Sequence, residues 1–191
     1  MESILKNRTA YIALGGNEAS PAGPPARTIL AALQELARDS VQLSAISRFY
    51  RTPAYPPGSG PEFVNAAACL TTSLSAEVLL ARLHAVEARF GRERHGRWSA
   101  RSLDLDLIGM EQEVSPDAAT VQSWVDLPPD RQRREAPTQL LLPHPRLQDR
   151  AFVLIPLAEI APAWRHPLSG LTVAEMIDAL PEAAKAEITP F

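Results

Sequence analysis

The sequence has little cysteine, since Cys69 is the only one among 191 residues. A single cysteine excludes an internal disulfide and any zinc site that needs several cysteines. The neighbours of Cys69 in the sequence are apolar, which indicates a buried and unreactive thiol. Residues 1–9 also lack the apolar region of a signal peptide. We therefore expect a protein of the reducing cytoplasm.

Long apolar runs and an excess of positive charge are also missing. No run approaches the roughly 20 apolar residues that a membrane-spanning helix needs. The net charge is −3, whereas general nucleic-acid-binding proteins carry a basic surface. We expect neither a membrane nor a nucleic acid as a partner, and we expect a monomer that acts on small molecules.

The apolar fraction of 46% is enough for one sizeable core. The length favours a single domain over residues 1–191, with its core at about 9–180. Residues 111–138 are rich in proline and polar side chains, and they predict a long loop or a partly ordered insertion.

Polar and apolar side chains alternate in residues 101–108, which read Arg-Ser-Leu-Asp-Leu-Asp-Leu-Ile. The period of two predicts a strand with one face in the core. Asp104 and Asp106 then share the other face, roughly 6.5 Å apart along the strand. Neighbouring carboxylates repel each other, and Mg²⁺ shared with substrate phosphates offsets that repulsion. The segment alone fits a half-exposed acidic strand equally well.

The residues before this acidic strand are basic. Five of them can carry positive charge: Arg92, Arg94, His95, Arg97 and Arg101. One interpretation is a solvated loop. The other is a set of arginines that bind phosphates next to metal ions on Asp104 and Asp106. The combination of basic loop, acidic pair and a nearby aromatic residue favours the second interpretation.

Hydrophobic periodicity predicts the order strand, helix, strand, strand, helix, strand. The predicted strands cover residues 11–14, 41–50, 63–72 and 101–108, and the helices cover 26–38 and the residues after Ser75. Ser75 can cap the second of these helices. This βαββαβ order predicts an α+β, ferredoxin-like sandwich, in which helices cover one face of a mainly antiparallel sheet. A C-terminal extension should follow, with helices at 146–160 and 171–180 and a weakly held tail at 181–191.

Several segments resemble motifs of the 6-hydroxymethyl-7,8-dihydropterin pyrophosphokinases of folate biosynthesis. They are residues 11–17 (YIALGGN), 49–53 (FYRTP), 63–67 (FVNAA), 97–98 (RW), 101–107 (RSLDLDL), 142–145 (LPHP) and 150–153 (RAFV). They occur in the order of the family over nearly all of residues 9–180. Gly16, in the tight turn after the first predicted strand, stands where the family usually has serine.

The resemblance implies a ferredoxin-like α+β fold and transfer of a pyrophosphoryl group from ATP to the pterin hydroxymethyl group, with AMP as the second product. It implies two Mg²⁺ ions held by Asp104 and Asp106, and catalytic arginines at Arg92 and Arg101. The residues that it places at ATP are His84, Glu87, Arg94, His144 and Arg150. The residues that it places at the pterin are Thr52, Pro53, Tyr55, Phe63, Asn65, Trp98 and Phe152.

These residue types suit the reaction. A pterin is a flat heteroaromatic ring, which Phe152 and either Phe63 or Tyr55 can enclose by stacking. Its amide edge needs matched donors and acceptors, which Asn65 and the backbone near Thr52 can offer. A non-catalytic binding protein has no need of the acidic pair, and an RNA-binding module of this fold needs a basic sheet face with exposed aromatic residues. We therefore favour the enzyme.

Overall fold

The structure is a computed structural model that describes residues 6–54, 58, 60–91 and 101–191. Within these residues one sheet contains the strands β1 (Arg8–Gly16), β2 (Val41–Ile46), β3 (Tyr50–Thr52), β4 (Phe63–Thr72), β5 (Asp104–Met110) and β6 (Thr189–Pro190). The helices there are α1 (Pro25–Leu36), α2 (Ala76–Arg89), α3 (Ala118–Val125), α4 (Pro129–Arg134), α5 (Ala151–Ile160), α6 (Val173–Asp178) and α7 (Glu182–Ala186), with a 3₁₀ turn at Leu147–Asp149. None of the helices in the described ranges is long and apolar enough to cross a bilayer.

The sheet is antiparallel at every pairing between the described strands. β1 lies between β5 and β4, while β4 also pairs with β2 and β3. Helix α1 joins β1 to β2, and both of these strands pair with β4. Helix α2 joins β4 to β5, and both of these strands pair with β1. The α+β class predicted from the sequence is therefore confirmed, and each βαβ unit encloses a strand of the other.

Local signals place the elements that lead to the site. The Ser75 side chain accepts a hydrogen bond from the Val78 backbone N–H (3.3 Å), so Ser75 caps α2 as predicted. The predicted strand at 41–50 is divided into β2 and β3. Ser47 lies at the break, where its Oγ accepts a hydrogen bond from the Ala67 backbone N–H (2.9 Å).

Both faces of the sheet are covered, as the alternation along β1 makes clear. Ala10, Ile12 and Leu14 belong to a first core with α1 and α2. Tyr11 and Ala13 pack instead against a second core, which is built largely from α5 and α6. The expectation of helices on one face is therefore met by α1 and α2, whereas the position of α5 and α6 on the other face was not predicted. Because β1 and β4 carry apolar residues on both faces, a second layer has to shield the other face from water.

The C-terminal tail is not weakly held, so that prediction is wrong. Residues 182–186 form α7, and β6 pairs with β3. The backbone N–H of Phe191 donates to the Phe49 carbonyl (2.8 Å), and the two rings meet edge to face with centroids 6.5 Å apart. The tail thereby adds an outer strand next to β3.

The segment at 111–138 contains α3 and α4, so of the two predicted forms, a long loop or a partly ordered insertion, the structure agrees with the second. Asp117 caps α3 by accepting a hydrogen bond from the Thr120 backbone N–H (2.8 Å). Val121 is 0% exposed, and Glu113 forms an ion pair with Arg8 of β1 (2.5 Å). The segment therefore packs against the domain.

Candidate functional site

Strand β5 separates its apolar and acidic side chains as the sequence predicts. Leu105 and Leu107 lie in the first core, and Leu103 just before the strand joins them. Asp104 and Asp106 project from the opposite face, with 25% and 37% of their side chains exposed. The two carboxylates are therefore neighbours on the face that α5 covers.

Each of these carboxylates has an arginine partner. Arg101 Nη1 lies 2.8 Å from Asp104 Oδ2, and Arg150 Nη1 lies 3.4 Å from Asp106 Oδ2. The arginines offset the repulsion between the two acids, although each partly exposed ion pair contributes at most about 1 kcal/mol to stability. Pairs this weak can exchange partners, which leaves the guanidinium groups able to bind phosphate oxygens.

Gly15 connects the acidic strand to Asn65 across the sheet. It is paired with Asp104 on one side and with Asn65 on the other. A Cβ at Gly15 would lie 2.9 Å from Asn65 Oδ1, so any larger residue would push the amide aside. The glycine keeps open a pocket lined by Ala13, Leu14, Gly15, Asn65, Asp104, Asp106 and Phe152.

Of the predicted pterin residues, Asn65 and Phe152 line this pocket, and Thr52 contacts Asn65. Asn65 is 6% exposed and its Nδ2 donates to Thr52 Oγ1 (2.8 Å), which holds the amide in one orientation. Thr52 pairs with Phe63 across β3 and β4, and Phe63 is half-buried. Pro53 is exposed just after β3. An ordered amide next to an aromatic residue can recognise the edge of a planar ring.

Phe152 supplies an exposed aromatic face in the same pocket. Its side chain, in the first turn of α5, is 39% exposed although it is large and apolar. The guanidinium carbon of Arg150 lies 5.8 Å from the ring centroid, a distance typical of a cation–π contact. Phe152 can therefore stack on a flat ligand that also reaches Asp104 and Asp106.

His144 is held as a neutral imidazole. Its Nδ1 accepts a hydrogen bond from the Arg146 backbone N–H (3.1 Å), which leaves the ring proton on Nε2. Burial, followed by the nearby positive charges of Arg150 and Arg146, lowers the pKa of His144 to about 3. At neutral pH the Nε2–H is therefore a hydrogen-bond donor without a full charge.

The two predicted ATP residues of α2 lie in different environments. His84 is exposed. Glu87 is 2% exposed, and its Oε1 accepts a hydrogen bond from the Leu105 backbone N–H (2.7 Å) at the outer edge of β5. The prediction that Glu87 contacts ATP does not agree with this burial, since the carboxylate is turned to the strand between the two aspartates.

Four of the predicted site residues lie outside the described residues: Tyr55, Arg92, Arg94 and Trp98. Sequence reasoning assigned no function to Gly15 or Asn17, both of which the structure places beside the predicted residues. The feature of the sequence that could have indicated them is Gly-Gly-Asn directly after the first predicted strand. The backbone at such a glycine often approaches a ligand or another backbone closely.

The donor set suits Mg²⁺ better than a metal that needs several protein ligands. In the described ranges there is no group of three or more histidine, cysteine or acidic residues that could hold a metal ion. Two carboxylates with room for phosphate oxygens are what Mg²⁺ takes at nucleotide sites. Asp104 and Asp106 therefore fit this ion.

Comparison with known sequences identifies relatives over most of the chain. The profile of the family described as 7,8-dihydro-6-hydroxymethylpterin-pyrophosphokinase (HPPK) matches residues 11–162. A 2-amino-4-hydroxy-6-hydroxymethyldihydropteridine pyrophosphokinase of Synechocystis is 37% identical over 182 residues, which is 95% of this chain and 80% of the relative. The enzyme of the same name from Pseudomonas aeruginosa is 37% identical over 172 residues, which is 90% of this chain and 91% of the relative.

Solved structures with a similar fold include the wild-type HPPK-DHPS of Plasmodium falciparum, at a TM-score of 0.61 and 13% sequence identity. This match covers 93% of the present chain but only 44% of the other, so the chain spans less than half of that protein. A variant of the same protein, solved with pterin and p-hydroxybenzoate, has a TM-score of 0.63. At this identity the likeness concerns the fold alone. The match of the family profile and the two relatives lead to one conclusion: the chain belongs to the 7,8-dihydro-6-hydroxymethylpterin-pyrophosphokinase family.

Proposed function

We propose that the pocket between β5 and α5 is the active site of this pyrophosphokinase. The enzyme transfers pyrophosphate from ATP to the hydroxymethyl group of 6-hydroxymethyl-7,8-dihydropterin in folate biosynthesis. One observation carries the placement of the site: Asp104 and Asp106 line the same pocket as Asn65 and Phe152. Phosphate-directed and ring-directed groups thus face one space, as a reaction between a nucleotide and a pterin requires.

The acidic half of the pocket is proposed to bind the metal and the phosphates. Asp104 and Asp106 would hold two Mg²⁺ ions, which supply positive charge to the phosphate oxygens. Arg101 and Arg150, already next to these carboxylates, would donate to the same oxygens as bidentate groups. Arg92 and Arg94 are proposed to complete the phosphate clamp.

His144 is proposed to donate its Nε2–H to a phosphate oxygen. Its low pKa means that it binds as a neutral donor and stays neutral through the physiological range. His84 is proposed to contact ATP from the exposed face of α2. For Glu87 we propose an indirect role instead, in which its carboxylate holds β5 in place.

The other half of the pocket is proposed to bind the pterin. Phe152 would stack on one face of the ring, and Phe63 or Tyr55 on the other. The Asn65 amide and the backbone at Thr52 would form hydrogen bonds with the polar edge of the ring. Pro53 and Trp98 are also proposed to contact the pterin. Because the Asn65–Thr52 hydrogen bond fixes the amide, a ring without the matching groups would leave buried polar atoms unpaired.

The transfer needs no covalent enzyme intermediate. The pterin hydroxymethyl oxygen attacks the β-phosphorus of ATP in line, the new O–P bond forms, and the bond to the α-phosphate oxygen breaks to release AMP. The hydroxyl proton passes to water, which balances the step. The protein residues hold the two substrates in line, a contribution that can reach roughly 7–11 kcal/mol in the best-oriented systems. They also stabilise the charge on the phosphates.

The experiment that tests this proposal measures AMP formed from ATP and Mg²⁺, with and without 6-hydroxymethyl-7,8-dihydropterin. We expect the wild type to release AMP only with the pterin, and Asp106→Ala to lose that activity while remaining folded. Asp178→Ala, which removes an exposed aspartate on α6, serves as the matched control and should be fully active. Folded Asp106→Ala with wild-type turnover would refute the metal site, and a folded wild type that forms no AMP with the pterin would refute the proposed function.

A further inference from the structure

Asn17 lies directly after β1, and both the oxygen and the nitrogen of its side-chain amide form hydrogen bonds. Asn17 is 7% exposed. Its Nδ2 donates to the Pro61 carbonyl (3.2 Å), and its Oδ1 accepts a hydrogen bond from the Arg101 backbone N–H (2.8 Å). The Asn17 backbone N–H also donates to the Arg101 carbonyl (2.9 Å). One residue thus joins two segments that lie 44 and 84 residues away in the sequence.

These two segments serve different halves of the pocket. Pro61 lies two residues before Phe63, in the connection that joins Thr52 of β3 to Phe63 of β4, and both of these belong to the proposed pterin site. Arg101 precedes β5, and its guanidinium pairs with Asp104 of the proposed phosphate site. The amide of Asn17 is therefore a direct link between the pterin side and the phosphate side.

The backbone around Asn17 is closely packed against both segments that the Asn17 amide joins. A Cβ at Gly16 would lie 2.6 Å from the Ser102 carbonyl oxygen, so the end of β1 rests directly on the backbone that carries Arg101. On the other side, Gly60 lies next to the Asn17 amide, since a Cβ at Gly60 would be 3.8 Å from Nδ2. Movement of either segment would have to break a hydrogen bond of Asn17.

We propose that Asn17 is a positioning residue of the transfer reaction, which sets Pro61, next to the pterin side of the pocket, and Arg101 at the separation that in-line attack requires. This inference rests on the proposed function of the pocket. In-line transfer is sensitive to such placement, since an error of roughly 1 Å can cost about 100-fold in rate. An amide suits the position because it offers one donor and one acceptor at the same distance from the backbone.

The test compares Asn17→Ala and Asn17→Asp with a matched structural variant, Thr72→Val. Thr72 is 1% exposed at the far end of β4, where its Oγ1 donates to the Ser40 carbonyl (2.7 Å) and accepts from the Leu74 N–H (3.1 Å). Both Asn17→Ala and Thr72→Val therefore lose one buried donor and one buried acceptor contact to the backbone. Steady-state AMP formation is measured below the unfolding temperature of each variant and corrected for the folded fraction.

We expect kcat of Asn17→Ala to fall tenfold or more, and kcat of Thr72→Val to stay within twofold of the wild type. Asn17→Asp keeps the acceptor for the Arg101 N–H but places a carboxylate oxygen against the Pro61 carbonyl. It should therefore raise KM for the pterin several-fold and leave KM for ATP unchanged. If Asn17→Ala does not fold, this split of the two KM values in Asn17→Asp carries the test.

Two outcomes would overturn the inference. One is a loss of activity in Asn17→Ala that equals the loss in Thr72→Val, because the role would then be structural only. The other is an Asn17→Asp variant whose two KM values are both unchanged or rise together. A wild type that forms no pterin-dependent AMP would instead refute the proposed function of the pocket, so the two failures are distinguishable.

Discussion

Gly16 allows the end of β1 to lie directly against the backbone of residues 101–102, because it has no side chain. The usual serine of the family would meet the same obstacle as any other residue here, because its Cβ would approach the Ser102 carbonyl oxygen to 2.6 Å. This close contact lets the backbone N–H groups of Asn17 and Glu18 both reach the Arg101 carbonyl, at 2.9 and 3.2 Å. In this chain the end of β1 is therefore adapted to glycine.

Gly16→Ala is expected to lower the free energy of unfolding by about 1–3 kcal/mol, the usual cost of forcing an extra methyl group into a packed site. Gly60→Ala is the matched control, because among the described residues its Cβ would meet only Asn17 Nδ2, at an ordinary contact distance of 3.8 Å. Urea denaturation of the two variants and the wild type measures the difference. Equal stability of Gly16→Ala and the wild type would mean that the backbone at 101–102 yields at little cost.

At the scale of elements, β5 makes three kinds of contact, through its two faces and its outer edge. Its leucines face the first core, its aspartates face the pocket, and its outer edge offers the Leu105 N–H to Glu87. Leu105 lies between Asp104 and Asp106 in the sequence, so the hydrogen bond to Glu87 fixes the strand at the centre of the acidic pair. An edge strand without such a partner would leave a buried backbone donor unpaired.

Glu87→Ala is expected to destabilise the protein by about 1–3 kcal/mol, because the Leu105 N–H would lose its buried acceptor. Turnover should fall as well, since the strand that carries both aspartates is no longer fixed. Glu87→Gln keeps the Oε1 acceptor and should recover most of the strand's order. Hydrogen exchange at the Leu105 amide, together with AMP formation, follows both effects. An amide that exchanges equally slowly in the wild type and Glu87→Ala would exclude the proposed role of Glu87.

The elements also differ in how much of them the sequence predicts. The alternation in β5 and the Ser75 cap are local patterns, and both are confirmed. The apolar run in β4 is equally visible in the sequence. Such a run indicates a strand that is buried on both faces, as the structure shows, and so it was the available sign of a second layer. The pairing of β6 with β3 and the contacts of Asn17 could not be predicted, because they join residues far apart in the sequence whose local context is ordinary.

At the scale of the whole molecule, the pocket lies between two differently built parts. The sheet contributes Asp104, Asp106 and Asn65, whereas the chain after β5 contributes Phe152. Arg150 and His144 also come from that later part, where the Arg150 guanidinium bonds to Asp106. The C-terminal layer is therefore half of the proposed site rather than an appendage to a ferredoxin-like core. The orientation of α5 on the second face should then control the pterin side of the pocket.

A pair of leucines on opposite faces of the sheet tests this dependence. Leu154 is 0% exposed in the second core, two residues after Phe152, and Leu33 is 3% exposed in the first core on α1. Leu→Ala at either position should cost about 2–5 kcal/mol of stability through lost contacts and a cavity. Only Leu154→Ala should also raise KM for the pterin, because α5 can relax into the cavity and move the Phe152 ring. Denaturation gives the stability of each variant and steady-state kinetics gives the KM. Equal KM values in two equally destabilised variants would mean that Phe152 is positioned by its own helical turn, independently of the packing beneath α5.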